Sequence, residues 1–367
     1  MVNETFRPTR RGFVAGSGAL LGAFVGATTM GRSQAAPLRL NIFGGVDAWP
    51  VYVMHEKAFL DFTLTPTPGS VAQFQHMMAG DADLALTAMD NIVAYDEGQG
   101  DPTVAGPFDL VGILGIGPGF LKLVVRPDVT SYEQLRGKAL AVDAPGTGFS
   151  FVLRRMLEKN GIPPGQYSFV AVGSTQRRFD AMVAGKAAGG VVSTPFDLLG
   201  QQKYGFHVLS SAIETLGHYQ ATAIMVRRSW AAAHRPAIVA FVRAYRQAVA
   251  WLYDPVNRTE AAAILVRNAG LPAELVTQIA PAILGSATSY ARDGRFDLAG
   301  VNMVLELRSA YATPKKELGA ATKYIDQSTC EGRLQHEQVN ARSSERGAFR
   351  RTPSCLRGNQ RSYNSSR

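Results

Sequence analysis

The sequence predicts an α/β protein whose parallel-rich sheets are flanked by helices, and three observations lead to that class. Between Leu38 and Val226, short apolar runs alternate repeatedly with amphipathic segments. Turn residues, above all Gly and Pro, separate these segments. From Pro236 to Ala312 the pattern is helical throughout. Regular alternation of strands and helices is typical of parallel sheets, because each parallel connection is long enough to hold a helix.

Each predicted strand is a short apolar or alternating run that ends at a turn signal. Strands are predicted at residues 38–43, 62–65, 83–87, 109–114, 121–125, 139–142, 169–172, 190–192, 207–209 and 223–226. Each predicted helix has apolar residues at helical spacing. Helices are predicted at residues 49–59, 71–79, 91–97, 132–135, 149–159, 175–184, from Pro195 onward, and at 236–253, 255–269, 272–284 and 301–312.

The segment from Leu140 to Ser150 is the strongest candidate for a ligand contact. An apolar strand ends at Asp143, and a Pro-Gly-Thr-Gly turn leads into an amphipathic helix. The first N–H groups of a helix have no partner within the helix, and they favour groups that carry negative charge. The alternative is an ordinary strand-to-helix turn with Thr147 as the N-cap.

The two ends of the chain differ from the part between them. Residues 1–36 hold Arg10-Arg11, an uncharged Gly/Ala-rich stretch and small residues before Pro37, which predicts a twin-arginine-like signal peptide cleaved near Ala35 or Ala36. A membrane anchor is the alternative. Residues 328–367 have no apolar periodicity, which predicts a disordered or frame-shifted tail. A basic tail that binds nucleic acid or lipid is the alternative.

The charge of the chain also belongs to its ends. The net charge is +9. The tail holds eight arginines against three glutamates, and residues 1–36 hold four arginines against Glu4, which leaves +1 for residues 37–327. The basic balance therefore gives no reason to expect nucleic acid as a partner. Cys330 and Cys355 both lie in the tail, and the histidines show no ligand-spaced pair, so we expect neither disulfides nor a metal site in residues 37–327.

Several short motifs resemble those of ABC-importer solute-binding proteins, and they occur in that family's order. They are Val51-Tyr-Val-Met-His-Glu-Lys-Ala-Phe59, Gly80-Asp-Ala-Asp-Leu-Ala85, Leu135-Arg-Gly-Lys-Ala-Leu-Ala-Val142, Ala181-Met-Val-Ala-Gly185 and Ser193-Thr-Pro-Phe196. The sequence is most similar to the nitrate/sulfonate/taurine type, which includes thiamine-pyrimidine binders. Lys186-Ala-Ala-Gly189 departs from the family's acidic strand entry.

This resemblance implies a two-lobed periplasmic-binding-protein fold of type II, with two crossing strands as the hinge. Lobe 1 would comprise residues 37–122 and 221–327, and lobe 2 residues 123–220. We place the crossings near residues 121–126 and 217–226. Ligands of open parallel sheets lie outside the carboxyl ends of the strands. That rule selects the cleft candidates Asp47, Trp49, Thr87, Met89, Asp90, Phe120, Asp143, Gly146, Thr147, Gly148, Phe149, Ser150, Thr194, Phe196 and Tyr219.

Some of these residues also have a purely structural interpretation. Trp49 could stack on a ligand or pack between a helix and a sheet. Asp47 and Asp143 could pair with an amine or cap backbone N–H groups. Phe196 could line the pocket or pack under its helix.

The resemblance implies a periplasmic, monomeric binding protein that passes a small solute to an ABC permease and ATPase. Neither a cofactor nor catalysis is expected. The ligand would be a small organic anion or an aromatic or heterocyclic compound. An enzyme on the same scaffold, related to pyrimidine-precursor synthesis, is the alternative. A ligand-sensing ectodomain would need a membrane helix after it, which the sequence does not show.

Overall fold

A computed structural model of the chain describes residues 37–105, 108–285 and 289–329. The predicted signal peptide and nearly all of the predicted tail, including both cysteines, lie outside these residues. The described part contains two five-stranded sheets, each with helices packed against it.

The first sheet has the strand order β2-β1-β3-β10-β4. Strand β1 runs parallel to β2 and β3, whereas β10 runs antiparallel to β3 and β4. Its strands are β1 (Leu38–Ile42), β2 (Phe62–Pro66), β3 (Leu84–Ala88), β4 (Leu110–Gly117) and β10 (Thr222–Arg227). The helices of this region are α1 (Trp49–Glu56), α2 (Ser70–Ala79), α3 (Met89–Asp96), α8 (Arg228–Ala233), α9 (Arg235–Tyr253), α10 (Arg258–Ala269), α11 (Ala273–Gly285) and α12 (Leu298–Tyr311).

The second sheet has the order β7-β6-β8-β5-β9, with β6 parallel to β7 and β8, and β5 antiparallel to β8 and β9. Its strands are β5 (Leu121–Val125), β6 (Ala139–Val142), β7 (Ser168–Ala171), β8 (Gly189–Ser193) and β9 (His207–Ser211). Its helices are α4 (Gly148–Lys159), α5 (Thr175–Val183), α6 (Phe196–Tyr204) and α7 (Ala212–Leu216). The predicted fold class, mixed parallel-rich sheets flanked by helices, is confirmed.

Strand β4 continues three residues beyond its predicted end at Leu114. The glycines of Gly115-Ile-Gly117 make this possible. A Cβ atom at Gly115 would lie 2.8 Å from the carbonyl oxygen of Arg295, and one at Gly117 would lie 2.4 Å from that of Ser289. The backbone of residues 289–296 therefore packs directly on this end of the strand, where no side chain would fit.

Two helices were not predicted, for different reasons. Helix α7 starts with a capping box, in which the Ser211 hydroxyl accepts from the Glu214 N–H and the Glu214 carboxylate accepts from the Ser211 N–H. That Ser-x-x-Glu signal is visible in the sequence. Helix α8 buries none of its side chains, so it has no apolar periodicity to detect.

The chain passes from the first sheet to the second at residues 118–120 and returns at residues 217–221, directly before β5 and β10. The largest apolar core contains side chains from both sides of these passages, for example Phe74 and Val304 beside Leu140 and Phe151. The two sheets therefore share a continuous core, built around α3, α4 and α12.

Candidate functional site

The carboxyl ends of the parallel strands carry most of the predicted cleft residues. In the first sheet, β1 is followed by a 3-10 turn (Val46–Ala48) and β3 by α3. In the second sheet, β6 is followed by the Pro-Gly-Thr-Gly turn and α4, and β8 by α6. The first residues of α3 and α4 touch each other, because a Cβ atom at Gly148 would lie 2.4 Å from the Cβ of Asp90. The strand ends of the two sheets therefore face each other.

The hydroxyl groups of the turn before α4 are bonded within the turn. Thr147 is the N-cap residue, but its hydroxyl donates to Asp143 Oδ1 and to the Ala144 carbonyl oxygen at 2.9 Å. The Ser150 hydroxyl donates to the carbonyl oxygens of Pro145 and Thr147, at 2.8 and 2.7 Å. These bonds support the structural alternative for Thr147 and Ser150, since both hydroxyls stabilise the turn itself.

A buried ion pair fills the space in front of this turn. Arg308 of α12 donates to both carboxylate oxygens of Asp90, at 2.8 and 2.5 Å, and both side chains are at most 2% exposed. The same guanidinium lies 3.4 Å from the Gly146 carbonyl oxygen and 3.5 Å from Gln99 Oε1. We call Asp90, Gly146, Gly148 and Arg308 the Arg308 contact. It places the chain's own carboxylate where the sequence suggested a ligand.

Further bonds between α4 and α12 extend the Arg308 contact outward. Arg155 donates to Glu306 at 2.6 Å and to the Tyr311 hydroxyl at 3.1 Å, and that hydroxyl donates to Glu158. Tyr219 is 2% exposed and lies near the charges of Asp90 and Arg308. Burial raises its pKa well above the usual value, and the nearby Asp90 charge raises it further. Tyr219 is thus a neutral phenol beside this cluster.

Asp47 lies in the turn after β1, and its carboxyl group is poorly bonded. Its Oδ1 is shielded from solvent and has no hydrogen-bond partner among the described residues. The nearby Tyr290 hydroxyl donates to the Val46 carbonyl oxygen at 2.7 Å, and the Gly45 N–H donates to the Tyr52 hydroxyl at 3.2 Å. Both donors are therefore engaged elsewhere. Burial raises the pKa of Asp47 to about 7.

Asp197 lies in the first turn of α6, and it repeats this pattern in the second sheet. Its side chain is fully buried, and Oδ2 accepts from Lys122 of β5. Its Oδ1 has no partner in the part of the chain that the structure describes. Strand pairing of Leu121 with Ser193 brings the start of β5 to the carboxyl end of β8. Lys122 and Asp197 thus lie at the edge of the second sheet that faces the first.

A third unbonded polar atom lies at the start of β10. Thr222 pairs with Ala88, the last residue of β3, and with Gly117, the last residue of β4. The side chain is 6% exposed, and its hydroxyl lacks a partner within the described ranges. We call Asp47, Thr222 and Asp197 the strand-end acceptors.

Other predicted residues are parts of the core. Trp49 is fully buried, and its indole N–H donates to the Ala261 carbonyl oxygen at 2.9 Å, which supports its packing alternative. Met89 is also fully buried in the shared core. Phe196 packs on Phe179, with ring centroids 5.3 Å apart, which supports packing under α6. The buried Thr87 hydroxyl accepts from Asn91 Nδ2 at 3.1 Å.

Phe120, Phe149 and Thr194 lie near the strand ends. Phe120 lies in the first passage, with φ of 51°, and its ring meets that of Tyr290 edge-on at 5.8 Å. Phe149 is half-buried beneath the Arg178 guanidinium, 5.8 Å from its ring centroid. Thr194 is 8% exposed. Of all the predicted residues, Asp90, Gly146, Gly148 and Tyr219 lie close together. Trp49 and Phe196 pack instead in two separate apolar clusters.

Sequence reasoning missed Lys122, Arg178, Asp197, Thr222, Tyr290 and Arg308. Two of them were detectable as charges inside apolar patterns: Lys122 in Leu-Lys-Leu-Val-Val, and Arg308 on the stripe of Val301 and Val304. Arg178 is buried, and it donates to the carbonyl oxygens of Val191 and Gly173 and to the Thr175 hydroxyl. Burial lowers its pKa.

Neither a metal-binding cluster nor a membrane-spanning helix is present among the described residues. No group of three or more His, Cys, Asp or Glu side chains is placed to hold a metal ion. Within residues 37–105, 108–285 and 289–329, no helix has the length and apolar character needed to cross a membrane.

Comparison with known proteins places this geometry in context. A search of curated proteins gives no sequence match. Many solved structures match the fold, among them the following three. The periplasmic nitrate-binding protein NrtA from Synechocystis has a TM-score of 0.70 and 15% identity, covering 83% of this chain and 90% of that chain. The alkanesulfonate-binding protein SsuA from Xanthomonas axonopodis has a TM-score of 0.64 and 18% identity, with coverages of 80% and 98%.

The third structure is the ligand-binding component of an ABC-type import system from Staphylococcus aureus. Its TM-score is 0.67 at 13% identity, and the match covers 80% of this chain and 98% of that chain. The fold is therefore that of the periplasmic binding proteins. A family model described as NMT1/THI5 like matches residues 50–257, more than half of the 367 residues. The chain belongs to the NMT1/THI5-like family.

Proposed function

We propose that this protein is an extracytoplasmic solute-binding protein that captures a small molecule between two lobes and delivers it to an ABC permease and its ATPase. Family membership and the roles of the structural neighbours as binding proteins support this function. The observation that carries the proposal is the meeting of two sets of strand ends, joined by only two short passages of chain. Ligands of such sheets bind at that position.

In this proposal, residues 37–120 and 221–327 form lobe 1, and residues 121–220 form lobe 2. The boundary lies before residue 121 and not at residue 122, because all of β5 belongs to the second sheet. The ligand contacts both lobes, so it binds the closed arrangement better than an open one and shifts the population toward closure. The closed surface then docks on the permease. A monomer suffices, because one chain supplies both sets of strand ends. The twin-arginine-like segment would direct export, with cleavage near Ala35 or Ala36.

The ligand would contact the strand-end acceptors, Phe120 and the outer face of the Asp143–Thr147 turn. Phe120 offers a half-buried aromatic face beside Tyr290. Asp143 and Thr147 are half-buried on the lobe 2 side. The neighbours are described as binding proteins and not as enzymes, and no observation on these residues favours catalysis.

A ligand screen by thermal shift tests the proposal. Sulfonates, nitrate, carboxylates, amines and nitrogen heterocycles are each added to the mature protein. We expect at least one class to raise the melting temperature, since a ligand at about 100 times its dissociation constant adds about 2.7 kcal/mol of stability. Small-angle scattering with the hit should show a more compact particle. A chain that responds to none of these classes would not be a binding protein for small solutes of this kind.

A further inference from the structure

We propose that the ligand carries nitrogen hydrogen-bond donors, as an amine, amidine or amino-heterocycle does, and that Asp47 of lobe 1 and Asp197 of lobe 2 recognise them. This inference rests on the proposed function and names the ligand class of that same site. It selects between the anionic and heterocyclic ligands that the sequence left open.

The first step concerns the unbonded oxygens. Buried polar atoms are almost always hydrogen-bonded, and a buried group without a partner destabilises the fold. Asp47 Oδ1, Asp197 Oδ1 and Thr222 Oγ1 are buried atoms of this kind at the facing strand ends. Carboxylate oxygens can only accept hydrogen bonds when ionised. A ligand that satisfies both acids as carboxylates must therefore bring donors. Because burial raises the pKa of Asp47 to about 7, the test is made at pH 8, where the Asp47 carboxylate predominates.

The second step concerns position. Val46 and Ala48, which flank Asp47, belong to the same apolar cluster as Tyr290, with Phe120 packed against it. Leu198, the residue after Asp197, packs on that cluster from the second sheet. The two acids thus follow the carboxyl ends of β1 and β8, one in each of the two sheets whose strand ends face each other. A ligand held between the two sets of strand ends would contact both turns.

The third step concerns the cations that an anionic ligand would use. Lys122 is paired with Asp197, and Arg308 is held by both oxygens of Asp90. Arg178 is buried and donates to three protein oxygens. The start of α4, where an anion would find free N–H groups, faces the Asp90 carboxylate. An oxyanion therefore competes with these existing partners, whereas a donor ligand finds free acceptors.

Benzamidine and benzoate make a suitable pair of probes, because both are planar and similar in size but one is an amidinium and the other a carboxylate. Calorimetry on the mature protein should show binding of benzamidine and not of benzoate. Asp47→Asn should weaken benzamidine binding about tenfold or more, the loss expected for a charge-assisted hydrogen bond. Asp128→Asn is the matched control, since it alters an exposed acid on lobe 2 and should change affinity less than about twofold.

A second pair of variants tests lobe 2. Asp197→Asn should also weaken benzamidine binding, with the melting temperature of the ligand-free protein measured alongside. Lys122→Met should act in the opposite direction, because it leaves the Asp197 carboxylate without its cation and should raise benzamidine affinity. A variant that lowers stability by poor folding would not produce this gain.

Three results would overturn the inference. Benzoate or nitrate binding that survives Asp47→Asn and disappears in Lys122→Met would show an anion site, and would still support a solute-binding protein. Equal benzamidine affinity in wild type and Asp47→Asn would remove Asp47 from the site. Absence of benzamidine binding at millimolar concentration, with a hit of another class in the wider screen, would reject donor recognition while leaving the proposed function intact.

Discussion

The two sheets meet in two regions that differ in how completely their buried polar groups are bonded. In the Arg308 contact, both carboxylate oxygens of Asp90 and the Arg308 guanidinium have partners. Among the strand-end acceptors, Asp47, Thr222 and Asp197 each keep one buried atom without a partner among the described residues. A bonded buried network stabilises a fold, whereas unbonded atoms point to a missing partner. We therefore interpret the first region as structural and propose the second as the binding region.

The largest expected effect follows from removing one member of the Arg308 pair. Arg308→Met leaves the Asp90 carboxylate buried without its cation, which costs about 3–5 kcal/mol. The double variant Arg308→Met with Asp90→Leu should recover much of this loss, since two apolar side chains replace the pair. Urea unfolding at neutral pH measures both. Arg155→Met removes a partly exposed ion pair with Glu306 and a hydrogen bond to Tyr311 between the same helices, and it should cost only about 1–2 kcal/mol.

If Arg308→Met were no more destabilising than Arg155→Met, the pair would not be a structural element of the fold. The turn would then regain its standing as a ligand contact, as the sequence suggested.

The second effect concerns the close approach of the two lobes at Gly148. Gly148→Ala adds a Cβ atom 2.4 Å from the Asp90 Cβ, so the two helix starts must separate, at about 1–3 kcal/mol. Gly146→Ala, two residues earlier in the same turn, is the matched control because its Cβ would have no neighbour within 4 Å. Thermal unfolding of the ligand-free variants separates the two. Equal melting temperatures would contradict the packing role of Gly148.

The fold was predictable because its signals are local. The Arg308 contact could not be predicted, since its partners are distant in the sequence. The strand β6 and its following helix stand out as an apolar run, a turn and a 3.6-residue period. Asp90 and Arg308 are 218 residues apart, and no local pattern joins them. Asp47 was recognised as a candidate because strand ends can be located from the sequence. Its lack of a partner depends on the tertiary structure, in which the nearby Tyr290 hydroxyl donates to the Val46 carbonyl oxygen and not to Asp47.

A third effect is the pH dependence that Asp47 gives to stability. Its pKa is raised to about 7 by burial, from an ordinary value of 3.8. Between these values the unfolded chain loses the proton while the folded one keeps it, so stability falls as pH rises from about 4 to 7. Asp47→Asn removes this fall. We expect the variant to match wild type near pH 4 and to exceed it by on the order of 2 kcal/mol at pH 8.

Urea unfolding at several pH values measures this difference. A constant offset between Asp47→Asn and wild type across the range would show that the carboxyl is solvated, and would weaken its assignment to the strand-end acceptors.

The smallest expected effect compares two threonines on neighbouring strands. Thr87 on β3 pairs with Ala223, and Thr222 on β10 pairs with Ala88. Both side chains are buried, but only the Thr87 hydroxyl has a described partner, Asn91 at 3.1 Å.

Thr87→Val should cost about 1 kcal/mol in the ligand-free protein, because Asn91 loses its acceptor. Thr222→Val should be neutral or stabilising by up to about 1 kcal/mol, because it replaces an unbonded hydroxyl with a methyl group of similar size. With a ligand from the screen, the order should reverse for affinity, with Thr222→Val the weaker binder. Equal destabilisation by both substitutions would mean that the Thr222 hydroxyl is bonded in solution, and the strand-end acceptors would then be Asp47 and Asp197 alone.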